Sequence, residues 1–347
     1  MVAVTLAGVG RVGRDFARVV DMTRDSSILA ACSRDPDCVG VSLGELAGVE
    51  GASPVVCASL DEALEIPSDV LVLATASHLE DVVDDIRTGV EAGRNVVTTS
   101  EEALFPWAND HALAEELDAK SKEHGVTILG TGVNPGFIYD AIVLTAAGAS
   151  WDVAHIGVER VVDISGYGTS ILRRSGIGFA REEFDRLCAS GEITGHIGFQ
   201  QSMGLVAHAL GRKIERIEKS IDPLFAESEL TVAGIVVASG ETAGFIQHHV
   251  GIVDGEPWFT AHLVAHVDPG HAGLSTSDTI ELKGTVPVRM VIEPAFDSQT
   301  TVAAVLANSL NRVIAAPPGW TTVADLPPAI PAGVRVPSAK TPKEDAP

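Results

Sequence analysis

The sequence predicts an α/β fold of two domains, in which a doubly wound parallel sheet is followed by an α+β domain with a mainly antiparallel sheet. The first observation is the length of 347 residues, which is more than a domain with a single hydrophobic core usually contains. The second is that residues 1–135 alternate short, wholly apolar segments with amphipathic ones. The third is that longer segments of alternating polarity dominate residues 136–299. Wholly apolar strands indicate a sheet covered on both faces, whereas alternation indicates a sheet covered on one face.

The first domain is predicted to alternate strands and helices. We expect strands at residues 2–7, 28–33, 54–57, 70–75, 95–98 and 127–130. We expect helices between them, at residues 12–22, 60–64, 79–92 and 107–124. Strands that are joined by helices in this way run parallel, because the chain must cross back before each new strand.

The second domain is predicted to begin with a helix at 137–149. Its strands are expected at 155–164, 230–239, 242–253, 257–266, 278–283 and 286–292, and its further helices at 181–190 and 198–210. The segment 300–316 carries an apolar stripe, and we expect it to form a helix that returns to the first domain. Residues 317–347 form a C-terminal segment, and its polar last ten residues are expected to be disordered.

The formal net charge of −23 restricts the partners of the protein. Such a charge repels nucleic acid and anionic membranes, so neither is expected to bind. No apolar run approaches the roughly 18–20 residues of a membrane span, and the N-terminal residues lead directly into a strand. We therefore expect a cytoplasmic protein. The four cysteines lack CxxC spacing, and the histidines have no clustered cysteines or aspartates near them, so no metal site is predicted.

A glycine-rich loop, GVGRVG, joins the first predicted strand to the first helix. Gly8 allows a tight turn, Gly10 the close approach of a pyrophosphate, and Gly13 the packing of the helix on the strand. The phosphates are expected on unpaired N–H groups at the positive end of the helix dipole, where Val12 lies, and the Arg11 side chain could stack on or near the adenosine end. In this context the loop predicts a Rossmann domain that binds a nicotinamide dinucleotide. The alternative is a glycine turn that serves packing alone.

The end of the second strand bears on which dinucleotide binds. An acid at this position would bind the ribose 2′-hydroxyl of NAD, but the chain has Ser33 and Arg34 there. A hydroxyl and a guanidinium suit the 2′-phosphate of NADP(H), so NADP(H) is the predicted cofactor. Asp35 follows directly and keeps NAD(H) open as a second cofactor. The alternative for Arg34 is an ordinary solvated side chain.

Polar residues follow three strands at the edge where such sheets bind ligands. Those expected to contact the cofactor are Thr75, Ala76, Ser77, Thr99 and Asn134. Glu101 and Glu102 precede an apolar run, and burial there would raise the pKa of a glutamate toward that of a general acid or base. The alternative for this pair is capping of the following helix. The alternative for Asn134 is a plain Asn-Pro-Gly turn.

Four segments of the chain resemble the 2,4-diaminopentanoate dehydrogenases and the related native amine dehydrogenases, which are distant relatives of dihydrodipicolinate reductase. They are GVGRVG at 8–13, TSEE with PW at 99–107, GTGVNPGF at 130–137 and GYGTSILRRSGIG at 166–178. The resemblance implies reductive amination of a small ketone or aldehyde with ammonia by NAD(P)H, or its reverse, in a homodimer. It also implies a catalytic glutamate in the EE pair, which is carried over to Glu102, with Glu101 as the second choice.

The same resemblance places a substrate pocket between the domains. The residues expected to line it are Phe105, Trp107, Phe137, Ile138, Arg173 and His262. Arg173 would bind the carboxylate of an amino acid substrate or hold a loop over the pocket. A simple ketone would need an apolar pocket, and the sequence leaves this choice open. The alternative for His262 is a half-buried histidine without a role.

Other functions are open at this stage. The chain lacks the His-His-Lys block of dihydrodipicolinate reductase at the corresponding place, which disfavours a reductase of that kind. A Rossmann domain can also serve a redox sensor that binds NADP(H) without turnover. The polar strand ends and the EE pair beside aromatic residues argue against a sensor.

Overall fold

The computed structural model describes residues 1–23, 25–51, 53–331 and 333, and it confirms the predicted fold class. One sheet of seven strands is parallel, and a second sheet of six strands is mixed and mainly antiparallel. Among the described residues, no helix is both long and apolar enough to cross a bilayer. The predicted disorder of the last ten residues lies outside the described part of the chain.

The first sheet contains seven parallel strands within the described residues. In chain order they are β1 (Val2–Ala7), β2 (Ser26–Cys32), β3 (Val56–Cys57), β4 (Val70–Leu73), β5 (Asn95–Thr98), β6 (Thr127–Gly130) and β15 (Gly319–Thr321). They lie side by side in the order β15-β6-β5-β4-β1-β2-β3. The central strand β4 is fully buried because helices cover both faces of the sheet. The strand β15 was not among the predicted elements.

The helices of this part are α1 (Arg11–Met22), α2 (Leu43–Ala47), α3 (Leu60–Leu64), α4 (Val83–Glu91) and α5 (His111–His124). Short 3-10 turns occupy Glu101–Leu104 and Pro106–Ala108. The helix α5 begins later than the predicted residue 107, because the side chain of Asp110 accepts a hydrogen bond from Leu113 N and caps the helix there.

The second sheet has six strands in the described chain, in the order β14-β13-β7-β12-β11-β8. They are β7 (His155–Asp163), β8 (Arg216–Phe225), β11 (Thr242–Val253), β12 (Glu256–His266), β13 (Ser277–Lys283) and β14 (Val288–Ile292), and a separate hairpin holds β9 (Leu230–Val232) and β10 (Ile235–Val237). The predicted strand 230–239 is this hairpin, since Ala233 and Gly234 turn the chain with φ of 46° and 78°. The charged edge strand β8 was not predicted.

Five further helices are α6 (Ala141–Ala147), α7 (Thr169–Arg174), α8 (Arg181–Ser190), α9 (Phe199–Ala209) and α10 (Ser298–Ala315). The helix α10 lies against α1 and the first sheet, where Leu306 and Leu310 share a core with Val4 and Phe16. Beyond it, β15 adds to the edge of β6. The first sheet is thus completed by residues from the far end of the sequence.

The two faces of the second sheet have different environments. The inner face packs against helices, and its buried residues include Val158, Phe259 and Ala261. The outer face carries Glu159 and His262, which are paired in register and partly exposed. Because side chains alternate along a strand, neighbouring residues of one strand belong to different faces.

Candidate active site

The glycine loop has the geometry that a bound dinucleotide requires. Gly8 has φ of 95°, and a Cβ at this position would overlap the carbonyl oxygen of Ala74. A Cβ at Gly13 would overlap the carbonyl oxygen of Gly8. At Gly10, by contrast, a Cβ would meet no described atom within 4 Å. Gly8 and Gly13 therefore permit tight packing, whereas Gly10 faces open space.

The helix α1 points its N-terminus at this open space. Gly10 is its N-cap, no side chain caps it among the described residues, and its first turn contains no acidic residue. Free N–H groups and the positive end of the helix dipole suit a pyrophosphate, so these residues fit the cofactor. Arg11 donates from Nη1 to the carbonyl of Gly166 at 2.5 Å, which ties the loop to the second domain. Val12 packs against the hydrophobic cores of both domains.

The end of β2 places Ser33 and Arg34 side by side. The Ser33 hydroxyl accepts a hydrogen bond from Asp35 N at 3.1 Å. Arg34 Nη2 donates to both carboxylate oxygens of Asp85, at 2.9 and 3.1 Å, yet 76% of the arginine side chain stays exposed. Burial raises the pKa of Asp85, and the arginine beside it acts in the opposite direction. The guanidinium is held at the end of β2 and remains open to a ligand.

The chain segments after β4 and β5 lie beside the glycine loop. Thr75 is so close to Gly8 that a Cβ on the glycine would lie 2.9 Å from its Cγ2. The carbonyl of Ser77 accepts a hydrogen bond from Ser100 Oγ at 2.8 Å, and Thr99 N donates to Leu73 O at 3.0 Å. These bonds hold the two segments together, with Ala76 between Thr75 and Ser77. The structure thus brings Thr75, Ala76, Ser77 and Thr99 together beside the glycine loop, and their contact with the cofactor stays a prediction.

The two adjacent glutamates have different surroundings. Glu102 Oε2 accepts a hydrogen bond from Leu79 N at 2.8 Å, and its Oε1 lies 3.4 Å from His78 Nδ1. Glu101 Oε2 is buried and has no hydrogen-bond partner among the described residues. Burial raises the pKa of Glu101, while a hydrogen bond from the side chain of Ser77 lowers it. The desolvated glutamate expected from the sequence is therefore Glu101 rather than Glu102.

The side chain of Asp140 holds the loop after β6 in place. This buried carboxylate accepts hydrogen bonds at Oδ2 from Gly136 N at 2.9 Å and from Ser202 Oγ at 2.7 Å. Within the described chain, Asn134 Oδ1 and Thr131 Oγ1 are buried without a partner. The loop thus presents unpaired oxygens while its own backbone is fixed to α9. Asp140 could not be recognised from its own segment, because its role depends on Ser202 in the distant helix α9.

The start of α9 closes the site from the second domain. Gly198 has φ of 101°, and a Cβ there would lie 2.6 Å from Pro135 Cδ and 3.1 Å from Glu101 Cβ. The glutamate, the Asn134 loop and the first turn of α9 therefore meet at one place. Three separate segments converge here, and two of them carry buried polar atoms without a described partner, which marks this place as the candidate active site.

A cavity of about 500 Å³ extends from this place along the inner face of the second sheet. The residues that line it include Glu102, Gly198, His196, Gln247, His249 and Lys219. Burial, with a smaller contribution from Arg160, lowers the pKa of His196 to about 3. Burial and then Lys219 lower the pKa of His249 to about 4. Both imidazoles are neutral at pH 7, and each has a buried nitrogen without a described partner.

Several residues predicted to line the pocket lie elsewhere. Ile138 is completely buried in the core of the second domain, since its side chain faces the sheet. Arg173 donates to the carbonyl of Ile177 at 3.1 Å and so holds the loop after α7. His262 lies on the outer face of the second sheet, where its Nδ1 is 2.9 Å from Glu159 Oε2.

The predicted aromatic residues pack beside the cavity. The rings of Phe105 and Trp107 lie 5.4 Å apart, and Trp107 Nε1 donates to Glu115 at 2.8 Å. Phe137 packs edge-on against Phe296, with ring centroids 5.8 Å apart. These three aromatic residues are absent from the described cavity lining. The polar lining by His196, Gln247 and Lys219 was not predicted, because no local motif marks it.

A glycine loop open to a pyrophosphate, beside a desolvated carboxyl group at the carboxyl ends of parallel strands, defines the class of the protein. It is an NAD(P)-dependent oxidoreductase. Comparison with known proteins specifies this further. Residues 137–340 match the family model described as the 2,4-diaminopentanoate dehydrogenase C-terminal domain. The chain belongs to the 2,4-diaminopentanoate dehydrogenase family, as its sequence motifs indicated.

Individual relatives cover nearly the whole chain. A 2,4-diaminopentanoate dehydrogenase of Acetoanaerobium sticklandii is 30% identical over 330 residues, which are 94% of this chain and 93% of the relative. An amine dehydrogenase of Streptomyces virginiae is 24% identical, with 91% of each chain covered. The solved structure of an amine dehydrogenase from Mycobacterium smegmatis is 26% identical, covers 95% of this chain and 97% of its own, and superposes with a TM-score of 0.82.

Proposed function

We propose that the protein catalyses the reductive amination of a small ketone or aldehyde with ammonia, and the reverse oxidative deamination of an amine. The observation that carries this proposal is the buried, unpaired Oε2 of Glu101 at the meeting point of the two domains. A carboxylate in such a place binds an ammonium ion and exchanges protons with it. The names of the relatives, which are amine and diamino acid dehydrogenases, support the same chemistry.

Glu101 is proposed as the acid and base of the reaction. Its carboxylate accepts a proton from ammonium, which frees the nitrogen lone pair for attack on the carbonyl carbon. The protonated carboxyl group then returns the proton to the hydroxyl of the carbinolamine, and water leaves as the C=N bond forms. The bound cofactor supplies the hydride that reduces this bond. Overall, carbonyl, ammonium, NAD(P)H and one proton give alkylammonium, NAD(P)⁺ and water.

Other residues of the site orient the reactants. The unpaired oxygens of Asn134 and Thr131 are suited to accept hydrogen bonds from a carboxamide or from ammonium. Asp140 fixes the Asn134 loop through Gly136 N. We propose that Glu102 supports the loop after β4 through Leu79 N and does not exchange protons with the substrate. This reverses the order of the two glutamates that the family resemblance implied.

A panel of ketones and aldehydes, with NADPH or NADH and ammonium, tests the proposed function through the absorbance of the reduced cofactor. We expect oxidation of the cofactor only when carbonyl and ammonium are both present. Oxidation without ammonium would instead identify a carbonyl reductase. Tight NADPH binding without turnover on any member of the panel would favour the redox sensor.

We propose a preference for NADP(H) over NAD(H). The support is the exposed guanidinium of Arg34 beside the Ser33 hydroxyl at the end of β2, where the adenosine ribose lies in Rossmann domains. Asp35 accepts a hydrogen bond from Asp37 N at 3.0 Å, so one of its oxygens is already used within its own turn.

We further propose a cytoplasmic homodimer. The outer face of the second sheet supports an interface, because it combines apolar Ile246, Val250 and Val264 with the paired His262 and Glu159. Such a mixture of apolar and internally paired polar groups is typical of dimer interfaces.

A further inference from the structure

The proposed reaction takes up one proton that Glu101 does not supply. In the proposed amination, Glu101 takes a proton from ammonium and returns it to the hydroxyl of the carbinolamine. Hydride transfer to the resulting iminium then leaves a neutral amine and an ionised Glu101. The alkylammonium product therefore requires one further proton, which comes from solvent. In the reverse direction the alkylammonium must release this proton before the hydride leaves.

Glu101 is poorly placed to exchange a proton with solvent directly. Its Oε2 atom is buried and has no hydrogen-bond partner in the part of the chain that the structure describes. A Cβ on Gly198 would lie 3.1 Å from Glu101 Cβ, so the first turn of α9 packs against this glutamate. A carboxyl group enclosed in this way needs neighbouring groups to carry its protons.

The adjacent Glu102 connects the cavity to a histidine at the surface. Glu102 lines the cavity together with Gly198. Its Oε1 atom lies 3.4 Å from Nδ1 of His78, and 45% of the histidine side chain is exposed. Within the described residues, no other carboxylate oxygen lies within 4.0 Å of a nitrogen of this imidazole. The His78–Glu102 pair thus extends from solvent to the cavity.

Backbone hydrogen bonds hold this pair together from both sides of His78. On one side, Leu79 N donates to Oε2 of Glu102 at 2.8 Å. On the other side, the carbonyl of Ser77 accepts hydrogen bonds from Glu102 N at 3.4 Å and from Ser100 Oγ at 2.8 Å. Because Oε2 of the glutamate is used in this way, its Oε1 is the oxygen that faces the imidazole.

The charges of the pair also act on Glu101. Burial raises the pKa of Glu101 most strongly, while positive charge on His78 lowers it and negative charge on Glu102 raises it. The other acidic residues of the loop after β4, Glu80 and Asp81, are exposed to solvent. The protonation states of His78 and Glu102 therefore influence how readily Glu101 holds a proton.

We propose that His78 carries protons between solvent and Glu101, with Glu102 and cavity water between them. During amination, Nε2 of His78 takes a proton from solvent, and Nδ1 gives its proton to Oε1 of Glu102. Water in the cavity passes a proton on to Glu101, which protonates the amine. Deamination reverses each transfer. Histidine is suited to this role because an imidazole can gain and lose a proton near neutral pH.

This inference rests on the proposed function, and it makes His78 a positioning residue that acts through the two glutamates. Steady-state amination by His78→Gln tests it, because the amide cannot transfer a proton. We expect kcat to fall about three- to tenfold and the KM of the carbonyl compound to stay within about twofold of wild type. The loss is limited because the neutral amine can also take up its proton after it has left the site.

Chemical rescue separates proton transfer from a structural role. Added imidazole should restore most of the kcat of His78→Gln and leave wild type unchanged. Thiazole, a ring of similar shape that is a much weaker base, should not restore it. His111→Gln, at an exposed position on α5 outside the cavity lining, is the matched control and should keep wild-type kcat with or without imidazole. The Tm and the NADPH affinity of His78→Gln should equal those of wild type.

The double variant His78→Gln/Glu102→Gln shows whether the pair acts as one unit. Since either substitution interrupts the same path, the double variant should lose no more kcat than the more impaired single variant. Losses that multiply would overturn the shared path.

The remaining outcomes distinguish the relay from the proposed function. An unchanged kcat in His78→Gln, or a lower kcat that imidazole does not restore, overturns the relay while the proposed function stands. Absence of ammonium-dependent turnover in the wild-type protein overturns the proposed function and the relay with it.

Discussion

The two walls of the cavity are built in different ways. The wall of the first domain contains Glu102 and Asn109, which line the cavity after β5, and the unpaired oxygens of Glu101 and Asn134 lie beside it in the loops at the carboxyl ends of β5 and β6. The wall of the second domain consists of side chains on regular strands, such as His249 and Lys219. Loops at strand ends bring several backbone and side-chain groups to one point, which suits bond making. A sheet face spreads side chains over a surface, which suits recognition of the rest of a substrate.

The largest expected effect separates the two glutamates of the first wall. Glu101→Gln should lower kcat for reductive amination by about 10²- to 10⁴-fold, because the amide cannot exchange the proton. Steady-state kinetics with saturating ammonium measures this, and fluorescence titration should show unchanged NADPH binding. Glu102→Gln is the matched control and keeps an acceptor for Leu79 N. We expect it to retain at least about a tenth of wild-type kcat. A larger loss in Glu102→Gln than in Glu101→Gln would restore the assignment that the sequence favoured.

A smaller effect is expected at Arg34, which lies at the end of β2, where the adenosine ribose is expected to bind. Arg34→Asp should raise the KM for NADPH by about 10- to 100-fold, because a charge-assisted contact with the 2′-phosphate is replaced by repulsion. The KM for NADH should change little, and initial rates with both cofactors measure the difference. Asp85→Asn releases Arg34 from its ion pair and should leave NADPH binding at least as tight. Equal KM changes for NADPH and NADH in Arg34→Asp would show that the arginine does not select the cofactor.

The smallest effect concerns the pH dependence of the second wall. In the folded protein the pKa of His249 is lowered from 6.5 to about 4. At a pH between about 4 and 6.5, His249 binds a proton in the unfolded chain but not in the folded protein. The free energy of unfolding should therefore fall as the pH drops below about 6.5. Wild-type Tm should therefore decrease from pH 7 to pH 5. In His249→Gln this decrease should be smaller by about 2–4 °C. His111→Gln, at an exposed position, should behave like wild type, and identical slopes for all three proteins would contradict the buried neutral state of His249.

The fold and the first wall were largely predictable from the sequence, for a physical reason. Apolar strands, helix spacing and the glycines at positions 8, 10 and 13 are local patterns, and each one reports a backbone requirement of its own segment. The position of Glu101 and Glu102 at the end of a strand could also be predicted from a local pattern. Which of the two carboxyl groups is desolvated could not be predicted, because it depends on Leu79 N and on Gly198, which lie far away along the sequence.

The second wall could not be predicted in the same way. The strand β8 lies at the edge of its sheet, so its sequence is charged and resembles a loop. Without β8, nothing places Lys219 beside His249. Ile138 and His262 were expected in the pocket. Ile138 lies instead in the turn before α6, where it is buried in the core of the second domain. The alternation of side chains along β12 puts His262 on the outer face.

The position of α10 and β15 has a consequence for how the chain is synthesised. Leu306 and Leu310 fill the core above α1, and Trp320 of β15 is buried against the edge of the first sheet. When only residues 1–135 have emerged from the ribosome, the nascent chain therefore exposes an apolar patch on α1 and an unpaired strand edge at β6. The cofactor domain reaches its final form after the second domain has already been translated, so a nascent chain needs protection from aggregation until residue 321 has emerged.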